Sequence, residues 1–391
     1  MSAPVNQIIC GDNVETLRTL PDACVDSCVT DPPYGLEFMG KQWDKGVPGV
    51  ELWREVLRVL KPGGHLLAFA GTRTQHRMAT AIEDAGFEIR DMIAWCYGSG
   101  FPKSLDVSKA IDKAAGAERE VVGSWKPTGT ARPSKGGSHS AAKTTSDCGY
   151  DPDTEARVNI TAPATEAAKQ WQGWGTALKP SLEPITVARK PLCGTVAANV
   201  LQHGTGALNV DGCRVGTDGG TCRDGKADRP NDSGWENMRG HGITQLNLGR
   251  FPANLIHDGS DEVVGLFPDT TSGAWPATRG AGGISTSGHT GHETGVCVAS
   301  NTGSAARFFY CAKADASERR QSKHPTIKPV ALMRYLVRLV TPPNGLVLDP
   351  FGGSGTTAEA ARLEHCRFLL MELSEEYCAD AAERLRQGVL F

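Results

Sequence analysis

The chain has 391 residues, 39% hydrophobic and 22% charged, with a formal net charge of −3. That balance fits a soluble globular protein of one large or two modest domains. It excludes a polycation, and no apolar run approaches the roughly 20 residues that span a bilayer.

Residues 1–10 lack a basic stretch followed by a long apolar one, so no secretory leader is expected and the protein should stay in the cytoplasm. The twelve cysteines include no Cys-x-x-Cys pair. In a reducing compartment Cys24, Cys28, Cys366 and Cys378 read as small buried hydrophobes. Cys213, Cys222 and His203 miss the spacing of a zinc site, so no metal is expected.

In chain order, the apolar run Ala23 to Thr30 predicts a strand that ends at Asp31. Trp53, Val56, Leu57 and Leu60 recur at helical spacing, predicting a helix over 50–60 that the Lys61-Pro62-Gly63-Gly64 run stops. A strand over 65–70, a helix over 74–85 closed by Gly86, and a strand over 87–95 follow. Strands alternating with helices imply a parallel sheet covered on both faces. Residues 123–169 are rich in Gly, Ser, Thr, Ala and Pro and predict an irregular insertion. Strand character returns briefly over 178–192. From 194 to about 303 glycine dominates, and loops of that length are functional or disordered. Regular pattern resumes at Ala306, with a helix over 329–340, a strand over 346–349, a helix over 356–363, a strand over 367–371 and a helix over 375–386. The flanking α/β segments would share one sheet. Five segments are expected: 1–122, 123–169, 170–192, 193–303 and 304–391.

Two motifs carry chemistry. Asp31-Pro32-Pro33-Tyr34-Gly35 follows an apolar strand. The Asp31 carboxylate can accept one N–H of an amino group, and the Pro32 carbonyl, stiffened by Pro33, the other. Two acceptors orient the nitrogen lone pair, and Tyr34 offers a face on which a base can stack. A proline-rich turn with an incidental aromatic is the plain alternative. The second motif, Val347-Leu348-Asp349-Pro350-Phe351-Gly352-Gly353-Ser354-Gly355-Thr356-Thr357, reads as strand, glycine loop, helix. Glu372 ends the next strand, near the spacing expected of an acid that binds ribose hydroxyls. The loop is not a full Gly-x-Gly-x-x-Gly and lacks the Lys-Ser/Thr ending of a phosphate loop. That favours a nucleoside ligand without phosphates.

Together these motifs resemble the amino-group DNA methyltransferases, which modify adenine N6 or cytosine N4. Because the Asp31 motif precedes the Phe351 loop, the order is similar to the permuted β class. Matching pieces are Gly11-Asp12, Leu60 to Gly64 and His324-Pro325-Thr326-Ile327-Lys328-Pro329. The resemblance implies a Rossmann-like S-adenosylmethionine-dependent fold, a doubly wound mixed sheet in permuted order, with a loop-rich target-recognition insertion. It implies S-adenosylmethionine as methyl donor and S-adenosylhomocysteine as product. It also implies double-stranded DNA as substrate, a homodimer and, in some relatives, a restriction endonuclease partner. Asp31, Pro32, Pro33 and Tyr34 would be catalytic. Asp12 would lie by the cofactor's adenine, and Lys328 would close over its methionine end. Phe351 would line the pocket and Glu372 hold the ribose, with Asp31, Asp349, Gly353, Ser354, Gly355 and Thr356 completing the cofactor site. Asp12 and Glu372 could instead cap helices, and Lys328 could be a surface charge.

The expected chemistry is in-line transfer to a base flipped out of the duplex, with Tyr34 stacking on it. By the resemblance, an aspartate at the position of Asp31 leans toward adenine, where a serine would lean toward cytosine. No Pro-Cys dipeptide is present, which argues against C5 chemistry. RNA or protein-glutamine methylation uses related motifs, but the permuted order and the large insertion fit DNA better. A Rossmann-type dehydrogenase and an inactive DNA-binding homologue are the readings from other classes. DNA contacts are expected of Arg214, Arg223, Arg229, Asn231, Arg239 and His241. A local basic stretch, Arg319, Arg320, Lys323, Lys328, Arg334 and Arg338, could be a DNA-facing surface or a solvated helix face.

Overall fold

The computed structural model describes residues 3–36, 46–100, 104–125, 158–216, 221–222, 245–246, 249–272, 275–276, 296–298, 301–312 and 327–387. The chain divides into two compact units. The first comprises Met1–Tyr34, Gly46–Gly98 and Leu182–Phe391, and the second Gly35–Lys45 and Ser99–Ser181.

The first unit is built on a nine-stranded sheet. Its strands are β1 (Gln7–Cys10), β2 (Val25–Thr30), β3 (Leu60–Phe69), β4 (Glu88–Cys96), β5 (Leu182–Arg189), β6 (Leu255–His257), β7 (Tyr310–Cys311), β8 (Leu346–Asp349) and β9 (Arg367–Glu372). In space they run β1-β9-β8-β2-β3-β5-β4-β6-β7. Only β5 pairs antiparallel to its neighbours, β3 and β4. Every residue of β2 and β8 is buried, as expected of parallel strands covered on both faces.

The two faces are visible in the side-chain alternation. Val29 and Leu67 join one apolar cluster with Leu332, Leu336 and Leu339 of α8 (Val330–Val340). Cys28, Leu66 and Ala68 join the other, with Leu17 of α1 (Asn13–Thr19), Trp53 and Val56 of α2 (Val50–Val59), and Met78 and Ile82 of α3 (Gln75–Asp84). Helices α9 (Thr356–Leu363) and α10 (Glu375–Gln387) complete the C-terminal half. The two distant chain segments do share one sheet.

Several elements depart from the sequence expectation. Lys61 to Gly64 is not a separate loop but a bulge inside β3: Leu60 pairs with Val25 and His65 with Ser27, so these four residues lie opposite Asp26 alone. Lys61 is paired with Asp26 at 2.5 Å, and Gly63, at φ +77°, donates to the Lys190 carbonyl. Pro329 caps α8 rather than sitting in its first turn. Helix α6 (Val196–His203) lies where glycine content predicted loop. Thr195 caps its start by accepting from Ala198 N–H, and Gly204 at φ +75° ends it. Short β6 and β7, also inside or beside the glycine-rich stretch, extend the sheet through pairing with β4.

The second unit holds α4 (Val107–Ala114), α5 (Glu166–Gln170) and an antiparallel ladder of Val121–Trp125 with Val158–Thr161. Its core polar anchor is Asp112. Burial alone would raise the pKa of this carboxyl, but bonds from Ala164 N–H, Thr165 and Arg119 hold it down at about 2.

Candidate active site at the strand-end crevice

In an open α/β sheet, ligands bind outside the carboxyl ends of the parallel strands, where the strand order reverses direction. Here that point lies between β8 and β2. From β8 the chain proceeds outward to β9, and from β2 it proceeds the other way to β3. Asp31 to Tyr34 leave the end of β2, and Phe351 to Thr356 leave the end of β8. The two ends are tied directly, Thr30 Oγ1 donating to Asp349 Oδ1 at 2.7 Å.

Asp31, Tyr34, Lys328 and Glu183 form one charged cluster. Tyr34 donates its hydroxyl to Asp31 Oδ1 at 2.7 Å, and that hydroxyl lies 3.0 Å from Glu183 Oε2. Lys328 Nζ is 2.6 Å from Asp31 Oδ2, 3.1 Å from Glu183 Oε2 and 3.1 Å from the Tyr34 oxygen. The ammonium also lies over the Phe69 ring, 4.9 Å from its centroid. Burial works against the Lys328 charge, but the carboxylates of Asp31 and Glu183 overcome it and push its pKa up. Lys328 is therefore not a surface charge. Burial, reinforced by Asp31 and Glu183, raises the Tyr34 phenol well above its usual range, so it stays a donor.

On the neighbouring strand end, Asp349 is buried and its carboxylate is used internally. It accepts from Thr30, from Phe351 N–H at 3.0 Å and from Thr357 Oγ1 at 2.5 Å. Burial lifts its pKa to about 6 against the pull of those bonds. It shapes the loop from inside. Ser354 is buried with its carbonyl accepting from Arg384, and Thr356 is buried at the start of α9. Gly353 and Gly355 adopt φ of +50° and +82°, and a Cβ on Gly355 would come within 2.8 Å of Ala381 Cβ. Gly355 is thus demanded by α10 packing. Glu372 accepts from Gly353 N–H and Ser374 N–H, both at 2.8 Å, so it fastens the glycine loop and also starts the turn into α10. Asp12, beyond β1 and next to the end of β9, caps α1 by accepting from Glu15 N–H at 2.9 Å. The helix-capping alternative is realised for Asp12, whereas Glu372 binds the turn before α10 and Ser374 Oγ accepts from Tyr377 N–H inside that helix; each carboxylate oxygen keeps a further lone pair.

Of the residues expected to touch DNA, Arg214 is braced locally. It pairs with Asp211 at 2.7 Å, donates to the Gly249 carbonyl and lies 5.8 Å from the Phe251 ring centroid. Arg223, Arg229, Asn231, Arg239 and His241 lie outside the described residues, as do Arg319, Arg320 and Lys323. Arg334 and Arg338 both pair with Glu364, one carboxylate shared by two guanidiniums, so their charge is only partly offset.

The family model for N6/N4 amino-methyltransferases, described as DNA methylase, matches residues 25–115 and 285–383. The chain carries an N6/N4 DNA methylase domain, split between these two stretches. The matched residues include both strand-end motifs and Lys328. Among the relatives, the putative methylase YubD of Escherichia coli (strain K12) is 45% identical over 62 residues, 16% of this chain and 27% of that relative. The type II methyltransferase M.HindIII of Haemophilus influenzae is 24% identical over 340 residues, 86% of this chain and 68% of that relative. The first of these matches spans barely a quarter of its relative's length. Among solved structures, the PvuII DNA methyltransferase, titled cytosine-N4-specific, aligns over 98% of this chain and 87% of that chain. Its sequence identity is 14% and its TM-score 0.44. At that similarity the superposition carries no argument, and the fold rests on the strand order above.

Glu183 was missed by the motif reading. It is a single acid inside a strand, with no spacing partner to mark it. What brings it to the crevice is strand direction. Because β5 runs against its neighbours, its beginning lies where theirs end, with Glu183 opposite Trp95 and Ile185 opposite Phe69.

Proposed function

We propose that the chain transfers a methyl group from S-adenosylmethionine to adenine N6 in double-stranded DNA. The observation that carries this is the hydrogen-bonded adjacency of β2 and β8 at the switch point. It opens the Asp31 loop and the glycine loop onto one crevice.

The residues fit the donor. It is a nucleoside with a cationic sulfur and no phosphate, and the glycine loop carries the carboxylate of Glu372 rather than a phosphate-binding lysine. Glu372 keeps lone pairs for ribose hydroxyls, Phe351 borders the loop, and Asp12 stands beside the end of β9 for the adenine. S-adenosylmethionine supplies an electrophilic methyl on a positively charged sulfur.

The chain's own groups act on the amine. Asp31 and the Pro32 carbonyl each accept one N–H, which aims the nitrogen lone pair and stabilises the charge that grows on nitrogen. Asp31 is placed to take the proton that nitrogen must shed once the new N–C bond forms and the S–C bond breaks. Tyr34, kept protonated, can stack on the base and donate to Asp31 at once. An amine paired inside a duplex is out of reach, so the base is flipped into the crevice. The glycine-rich 193–303 stretch would read the target, with phosphate contacts setting register.

The aspartate at the first motif position, read through the family resemblance, favours adenine over cytosine. Plasmid DNA from a methylase-deficient host, treated with the protein and S-adenosylmethionine and then digested to nucleosides, should contain N6-methyladenine. N4-methylcytosine in its place would change the base assignment, and no methylated nucleoside would overturn the reading.

A further inference from the structure

Both oxygens of Asp31 are occupied, Oδ1 by the Tyr34 hydroxyl and Oδ2 by the Lys328 ammonium. An incoming amino group needs one of them. Were Asp31 the sole counter-ion of Lys328, freeing Oδ2 would strand a buried ammonium, which burial penalises heavily. The structure offers a second carboxylate. Glu183 Oε2 is 3.1 Å from the same nitrogen, and the Glu183 side chain is itself only 18% exposed. The Tyr34 hydroxyl, 3.0 Å from Glu183 Oε2, and the Lys328 ammonium together give that carboxylate a fixed place.

We infer that Glu183 is a positioning residue for methyl transfer. It is the standing counter-ion to which Lys328 retreats when the amino group takes over Asp31. The inference rests on Asp31 being the amine acceptor. Glu183 itself touches neither base nor donor. It sets how readily Asp31 is released, so its loss should slow the transfer step while leaving the donor site intact.

The test uses the full chain, tritiated S-adenosylmethionine at saturation and unmethylated plasmid DNA, read as single-turnover rates. Glu183→Gln keeps the shape and removes the charge. It should slow transfer about tenfold or more, the scale of losing a charge-assisted bond. Donor affinity by calorimetry should stay within about twofold. Glu183→Asp should recover much of the rate. Lys328→Met unloads Asp31 by another route and should retain measurable transfer, and adding Glu183→Gln to it should change the rate by less than about twofold. A Glu183→Gln protein as fast as wild type would overturn the inference. So would a Lys328→Met protein with no transfer, or a further tenfold loss when Glu183→Gln is added to it. Asp31→Ala, run alongside, separates the two claims. Transfer that survives Asp31→Ala overturns the reading of the site itself. Loss on Asp31→Ala with full activity of Glu183→Gln overturns only the role of Glu183.

Discussion

Gly352 has no room for a side chain. A methyl there would collide with the Leu370 side chain and lie 3.1 Å from the Met371 carbonyl. Gly352→Ala should therefore cost roughly 1–3 kcal/mol of stability by overpacking. It should also weaken S-adenosylmethionine binding, because the displaced loop is the one Glu372 fastens. Thermal denaturation and calorimetric titration would check both, and an alanine variant with unchanged melting and affinity would remove Gly352 from the account. At this scale the sequence was most legible where a residue type is chemically specialised and sits in a recurrent pattern. Asp31, Tyr34 and Lys328 lie together as the motifs suggested. Asp349 turned inward, and Asp12 and Glu372 took up backbone donors at nearby turns, because an open N–H at a helix start or tight turn captures whatever carboxylate is near. Glu183 carried no pattern at all, since a lone acid in a strand looks like any solvent-facing position.

Among the elements, the strongly apolar strands and amphipathic helices of the flanks were readable from period and length alone. Helix α6 was not, because glycine content on either side masked eight residues that Thr195 and Gly204 delimit cleanly. The reversal of β5 was not readable either, since alternation shows that a strand exists but not which way it runs. That reversal has an electrostatic consequence. His65 of β3 faces Arg189 of β5, is buried, and has no partner for Nδ1 among the described residues. Burial, with Arg189 and Arg90 adding to it, pulls its pKa down from 6.5 to about 4. The folded pKa lies below the unfolded one. The uncharged ring is thus accommodated above pH 6.5, and stability drains away as pH falls toward 4, by up to about 3 kcal/mol. Melting curves should show wild type losing more stability over that range than His65→Gln. Equal losses would mean the ring is charged or relieved in the fold.

For the whole molecule, the decisive feature is that residues more than 300 positions apart in sequence close one crevice, with β2 seated against β8 and Thr30 bonded to Asp349. The sequence implied this only through two half-patterns, each incomplete alone, whose order marked a permuted arrangement. The path of the central region escaped it because glycine-rich chain has little periodicity to read. In the proposed site the two halves are separable, one clamping an amine and one holding the methyl donor. The most direct measurement is donor binding and labelled methyl transfer on the same preparation of Asp31→Ala. S-adenosylmethionine should bind within about twofold of wild type while transfer to DNA is abolished. Transfer at the wild-type rate by Asp31→Ala would contradict this reading of the site.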